Sequence, residues 1–244
     1  MTEALFREDS YRRSLDARVV RLTEAGGFVT DRTIFYPTGG GQPGDPGHIV
    51  RADGSRVAIA TTAYEDASKT GIVLVPAEAA ALPEVGEAII LTLDWPLRYD
   101  RMRMHTALHL LSVVLPFPVT GGAIGDGDGR LDFDLPDPNV DKDAIEASLR
   151  ALIAADHPVT TEWISDAELD ANPGLVKTMS VQPPRGSGRV RLVRIGSGGG
   201  TIDLQPCGGT HVRSTLEIGD IHVTRIEKKG KLNRRVRIAF SPAA

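Results

Sequence analysis

Two short stretches carry the residue types that hold metal ions. His105-Thr106-Ala107-Leu108-His109 places two imidazoles four positions apart. On an α-helix, positions i and i+4 share a face one turn apart, so both rings can reach one ion. Alone the pattern is weak, because a helix can keep one histidine in its core and another in water. Cys207-Gly208-Gly209-Thr210-His211 sets a thiol and an imidazole about two glycines, whose backbone freedom lets both side chains converge. Alone, Cys207 reads as a small buried hydrophobe and His211 as a loop cap. Together the stretches offer three imidazoles and one thiolate, a donor set suited to tetrahedral zinc. We expect one Zn2+ per chain, held by His105, His109, Cys207 and His211. An HExxH metalloprotease is excluded, since Thr106 stands where such enzymes need a glutamate base. A thiolate bound to zinc is also not free to act as a nucleophile. The stretch GGGQPGDPG lacks the GK[ST] ending and the helix of a phosphate loop, so no nucleotide cofactor is expected.

These donors need elements to position them. Residues 97–115 contain neither Gly nor Pro and read as a helix with Met104, Leu108, Leu111 and Leu115 along one stripe, stopped by Pro116. Before it the chain reads as strands. ARVVRLTEA and FVTDRTIFY flank a Gly26-Gly27 turn, HIVRA and SRVAIATTAY flank Asp53-Gly54, and GIVLVP and AIILTLD close the set. FYPTGGGQPGDPG, residues 35–47, is too rich in Gly and Pro for a regular element. Short strands so spaced suggest a small barrel or sandwich. After the helix, GGAIGDGDG reads as a loop and RLDFDL as a strand. Pro138 is placed to open a helix to about Ala155, with Ile145, Leu149 and Leu152 inward. TTEWIS, RVRLVRI and TIDLQPC read as strands, DAELDAN as a short helix, and HVTRIEKKG with NRRVRIAF as a closing hairpin. The expectation is an α+β chain. A small β-barrel domain over 1–95 precedes a domain over 96–244 with an antiparallel sheet and helices packed on it.

Composition sets the broad class. The chain has 244 residues, 41% hydrophobic and 25% charged, as in an ordinary globular protein. No apolar run approaches the roughly 20 residues that span a bilayer, so no membrane partner is expected. A lone cysteine excludes an intramolecular disulfide, and the N-terminus has no apolar signal core, which together point to the cytoplasm. Charge is unevenly spread. From Arg185 to Arg237 there are 12 Lys+Arg against 4 Asp+Glu, a balance of +8, which leaves −12 on the rest of a chain of net charge −4. A basic segment in an acidic protein suggests a polyanion met by one face.

HTALHLL, followed roughly a hundred residues later by QPCGGTHV, resembles the editing domain of alanyl-tRNA synthetases, and more closely their free-standing relatives, the AlaX proteins. FYPTGGGQPGD matches the family's glycine-rich stretch, and the likeness continues through EIGDIHV to the basic hairpin. It covers almost the whole chain in the same order, at the length of the medium-sized class with its N-terminal barrel and C-terminal editing domain. The resemblance implies hydrolysis of the ester joining a wrong amino acid to tRNA(Ala), serine usually and glycine second. It implies the same four zinc ligands. Zinc can lower the pKa of a bound water, our candidate attacking group, or act as a Lewis acid, or bind the free α-amino group and so position the ester. Gln42 of the GGGQ loop is then a candidate pocket residue. Thr210 is another, although a bond to its own loop backbone is the plainer reading.

The RNA contacts expected on this reading are Arg101 and Arg103 beside the first histidine, and Lys228, Lys229, Lys231, Arg234, Arg235 and Arg237 on the last hairpin. A solvated hairpin edge, charged against strand pairing, is the alternative. The family usually has a glycine before the glutamate in a TGEIG-like run, where this chain has Thr215-Leu216-Glu217-Ile218-Gly219. Four protein ligands also look like a closed site, whereas catalytic zinc usually keeps a position open. An RNA-binding module with a purely structural zinc is therefore the competing reading. A barrel-plus-sheet interaction protein with incidental metal is the third.

Overall fold

The computed structural model describes residues 2–78, 82–135, 141–179, 188–230 and 232–242. The chain packs as two units, Met1–Tyr99 and Asp100–Ala244. The first contains strands β1 (Glu3–Ala4), β2 (Ser14–Leu22), β3 (Phe28–Thr30), β4 (Arg32–Thr33), β5 (Gly47–Val50), β6 (Arg56–Tyr64), β7 (Ile72–Pro76) and β8 (Ala88–Leu93). Six of them close a barrel in the order β2-β3-β7-β6-β5-β8, while β1 and β4 form a short parallel pair. Alternation explains the barrel. Leu15, Ala17 and Val19 of β2, Val57 and Ile59 of β6, and Ile89, Leu91 and Leu93 of β8 all point into one core. The barrel and the mixed α+β architecture expected from the pattern are both present.

The glycine-rich stretch runs without regular structure until β5 begins at Gly47. A side chain at Gly44 would place its Cβ 1.9 Å from the Thr62 carbonyl of β6, so only glycine fits there. Asp45 follows, fully buried, and accepts the guanidinium of Arg98, which is also fully buried. Arg98 donates as well to the carbonyls of Ser10 and Ile34, at 3.1 and 2.6 Å. Buried charge is tolerated where it is paired and hydrogen-bonded in this way.

Helix α1 (Trp95–Val114) contains the boundary between the units. The second unit continues with β9 (Val119–Ile124), β10 (Asp128–Asp134), α2 (Lys142–Ala154), β11 (Val159–Ser165), α3 (Asp166–Ala171), β12 (Arg189–Ile195), β13 (Asp203–Pro206), β14 (Ile221–Lys228) and β15 (Asn233–Phe240). Two antiparallel sheets result, in the orders β14-β15-β10-β9 and β11-β12-β13. Helix α1 approaches the first of them closely. A Cβ at Gly129 of β10 would stand 2.8 Å from the Met104 side chain. Among the described residues, no helix is long and apolar enough to cross a membrane.

Two local expectations are corrected. GGAIGDGDG is not a loop but most of a hairpin, with β9 and β10 joined by a turn in which the Gly125 N–H reaches the Asp128 carbonyl at 2.8 Å. Ladder pairing at the sheet's edge outweighs the poor strand propensity of glycine. A Cβ at Gly122 would come within 2.9 Å of Leu131. Helix α2 starts at Lys142, where Asp141 caps the N–H groups of Asp143 and Ala144. Pro138, expected to open it, lies outside the described residues. Its inward positions are Ile145, Leu149 and Ile153, whereas Leu152 is only half-buried.

Candidate metal centre

Helix α1 presents His105 and His109 one turn apart on a single face. The loop leaving β13 brings Cys207 and His211 against them, so that one donor atom from each of the four residues lies within 4.8 Å of all the others. Cys207 Sγ is 3.5 Å from His105 Nε2 and 3.3 Å from His211 Nε2. With metal–nitrogen bonds of about 2.0 Å and a metal–sulfur bond of about 2.3 Å, tetrahedral donors sit about 3.3–3.6 Å apart. A thiol has one proton and can donate one hydrogen bond, whereas two imidazole nitrogens stand within reach of this sulfur. His105, His109 and His211 are buried, at 8, 6 and 5% exposure. Three buried nitrogens and a partly buried thiol brought this close are a donor set that fits one zinc ion.

The surrounding hydrogen bonds decide which nitrogens face the cluster. Thr106 Oγ1 donates to the Met102 carbonyl at 3.0 Å and accepts the Val212 N–H at 3.3 Å. Its single proton is then spent, so at the 3.1 Å contact with His211 Nδ1 it must accept. His211 therefore carries its proton on Nδ1 and turns the Nε2 lone pair inward. His109 Nδ1 donates to Asp203 Oδ2 at 3.0 Å, which frees its Nε2 in the same way. Asp203, itself buried, also accepts Lys177 Nζ at 2.6 Å and Gln205 Nε2 at 2.7 Å. Ser112 Oγ stands 3.4 Å from the Gln205 amide and donates to the His109 carbonyl. On the thiol side, Arg191 of β12 donates to the carbonyls of Cys207 and Gly209, at 2.8 and 2.9 Å, and so holds the glycine pair in place.

The electrostatics follow this wiring. Burial opposes a Cys207 thiolate, but the imidazoles of His105 and His211 overcome it and hold the thiol well below its usual range. Burial first, and the neighbouring His105 imidazole second, push His211 well below its usual value. Burial opposes charge on His109 too, yet the bonds to Asp203 and Cys207 lift it to about 9, so without metal its Nε2 also carries a proton, which must leave before that nitrogen can serve as a ligand. Asp203 is pulled down to about 2 against its own burial, by His109 first and Lys177 second.

The sequence does not mark Thr106, Asp203, Gln205, Lys177 or Arg191 as site residues. It holds one signal: Asp203, Gln205 and Cys207 alternate along β13 and its continuation and therefore share a face. Of the expected pocket residues, Thr210 is fully buried inside the Cys207–His211 loop. Gln42 belongs to the first unit, is 1% exposed, and pairs its backbone with Gly39.

The expected RNA contacts are distributed differently from their sequence spacing. Arg101 is 6% exposed and binds Asp126. Arg103 donates to the Ile218 carbonyl and lies 4.0 Å from the centre of the Phe240 ring. Strand alternation turns Arg234 to the buried face, while Arg235 and Arg237 share the other with Asp132 and Glu227. Lys228 and Lys229 are exposed, and Lys231 lies outside the described residues.

Two helix-borne histidines face a Cys-x3-His loop in a cluster that could hold a metal ion, and residues 190–237 match the Threonyl and Alanyl tRNA synthetase second additional domain. The chain is 34% identical to the alanyl-tRNA editing protein AlaX-M of Methanosarcina acetivorans over 97% of its own length and 98% of that protein's. It is 32% identical to AlaX-M of Saccharolobus solfataricus over 99 and 100% of the two chains. A 34% identity to the alanine–tRNA ligase of Pyrobaculum arsenaticum covers 93% of this chain but 25% of that enzyme. The chain belongs to the AlaX family of alanyl-tRNA editing proteins.

Proposed function

We propose that the protein is a free-standing hydrolase that clears mischarged tRNA(Ala), cleaving the ester that holds serine, and secondarily glycine. The observation that carries the reading is the convergence of His105, His109, Cys207 and His211 within 4.8 Å in a chain of this family. All four belong to the second unit, to which we assign the editing chemistry. One Zn2+ bound there supplies a Lewis acid and a means of lowering the pKa of water. Asp203 and Thr106 hold protons on the outer nitrogens of His109 and His211, so that both inner nitrogens are available as ligands. Lys177 balances the Asp203 carboxylate, and Arg191 fixes the loop that carries the thiolate. Thr210, in the same unit, is our candidate for a contact to the aminoacyl group. Lys228 and Lys229 are our candidates among the hairpin lysines for contacts to tRNA.

The test is deacylation of Ser-tRNA(Ala). The protein should cleave it and spare most Ala-tRNA(Ala), and His105→Ala and Cys207→Ala should lose the activity. Undiminished cleavage by both variants would remove the metal centre from the reaction. The second reading, an RNA-binding module with structural zinc, is favoured by the completeness of the four-ligand set. Salt-sensitive tRNA binding with zinc bound and no turnover would decide for it.

A further inference from the structure

The outer face of the four-stranded sheet carries more cations than its carboxylates neutralise. Alternation places Arg225 of β14, Arg237 of β15 and Arg130 of β10 in one cross-strand row, Arg237 being the direct partner of each of the others. With strands about 4.8 Å apart, the row spans about 10 Å. Like charges directly opposite each other weaken a sheet, so this arrangement calls for a compensating feature. The adjacent row, Glu227, Arg235 and Asp132, supplies part of it. Glu227 is shared by Arg237 at 3.2 Å, Lys229 at 3.3 Å and Arg225 at 3.7 Å, while Asp132 is shared by Arg130 at 2.6 Å and Arg235 at 2.7 Å. Five cations thus meet two carboxylates. The face stays positive even when Asp128 and Asp134, at the ends of β10, are counted with them.

The shape of the face agrees with its charge. The Arg225 side chain is 74% exposed, and those of Arg237 and Arg130 keep 33 and 25%. Beyond them, β9 sets Ala123 opposite Arg130 and Gly121 opposite Asp132, so β9 itself places no bulky side chain beside the arginines. Guanidinium groups bind phosphate oxygens through paired N–H donors, and a carboxylate shared among several of them cannot neutralise them all. We propose that this face binds the phosphodiester backbone of RNA, with Arg225, Arg237 and Arg130 each meeting a phosphate. That the RNA is tRNA rests on the function proposed above; that the ligand is a row of phosphates rests on the face itself.

The experiment measures binding of uncharged tRNA(Ala) by fluorescence anisotropy across a salt series, for the full chain loaded with zinc. Each phosphate contact adds about 0.9 to the slope of log affinity against log salt. The variant Arg130→Gln/Arg225→Gln/Arg237→Gln should therefore flatten the slope by about 2.7. The advantage of the unaltered protein should shrink about fortyfold between about 50 and about 200 mM salt. Arg225→Gln, at the most exposed position, should flatten it by about 0.9 with no change in zinc content or melting temperature. Arg56→Gln, an exposed arginine of the barrel, should leave slope and affinity unchanged. A wild-type slope in both the triple and the Arg225 variants overturns the proposal. Release of serine from Ser-tRNA(Ala) is followed in parallel. An unaltered protein that binds tRNA through this face without releasing serine would end the editing reading and leave this one standing.

Discussion

Thr106→Val is nearly isosteric and removes only the hydroxyl on which three hydrogen bonds meet. Thr106 is fully buried, so no water replaces them. Two donors, the Val212 N–H and the His211 Nδ1–H, lose their acceptor. A buried donor left unsatisfied costs about 1–3 kcal/mol, which puts the loss of two for the metal-free protein at about 2–6 kcal/mol. The effect on metal comes on top of this. With Oγ1 gone, nothing at that position requires the proton of His211 to stay on Nδ1, and the tautomer with its proton on Nε2 has no lone pair to offer the cluster. Outer partners of this kind are worth about 10–100-fold in metal affinity. The assay is zinc titration against a competing chelator, with thermal melting of the metal-free and zinc-loaded forms. Thr106→Val should weaken zinc binding within that range, and Thr106→Ser, which restores the hydroxyl, should recover most of it. Zinc affinity unchanged in Thr106→Val would refute the tautomer argument. Equal losses in the Val and Ser variants would assign the effect to the methyl group instead.

Asp203→Asn should lower zinc affinity by about 10–100-fold as well, because the amide no longer gives His109 a charged acceptor; the same chelator competition reads it. Arg98→Met strands the Asp45 carboxylate in the interior and should destabilise the first unit by about 3–5 kcal/mol in urea unfolding, with Arg98→Met/Asp45→Asn recovering part of the loss. Burial opposes charge on Asp132, but Arg235 and Arg130 outweigh it and hold the carboxyl below its ordinary 3.8. Its folded-state pKa being depressed, its contribution is complete above that value and is lost as pH falls through the folded pKa. Asp132→Asn should therefore lose about 1 kcal/mol of stability at neutral pH and show a smaller further loss than the unaltered protein as pH falls below the ordinary carboxylate value.

The features of this molecule that are legible in its sequence are those encoded by local spacing. Period-two alternation marks the barrel strands, and a residue run free of Gly and Pro marks α1. The i, i+4 interval by itself puts His105 and His109 on one face of that helix. The stretch from Gly121 to Gly129 defeats the same logic. Its strand character comes from pairing with β10 and β15 and not from its own side chains. Residue composition misleads in a similar way at the last hairpin. It counts Arg234, Arg235 and Arg237 together, although alternation sends Arg234 inward and gives the other two to Glu227 and Asp132. Net charge over a segment registers how many cations are present; it cannot register which face they occupy or which carboxylates they share.

The same distinction separates the metal donors from the residues that orient them. A ligand set is compact in sequence because a helix turn and a glycine loop each deliver two side chains, so His105/His109 and Cys207/His211 declare themselves as pairs. Orientation, by contrast, is a contact between pairs. Thr106 reaches His211 across 105 positions and His109 reaches Asp203 across 94. Neither contact has a local pattern to betray it. Along the sequence Thr106 stands out only as a residue that is not a glutamate, yet its hydroxyl makes the two motifs one unit: it sits between the histidines on the helix and takes the proton of the histidine on the loop. A helix and a loop tied in this way at a buried oxygen hold three of the four donors in register whether or not an ion is bound. Metal affinity in this fold should therefore depend on the side chain at position 106 as well as on the four ligands.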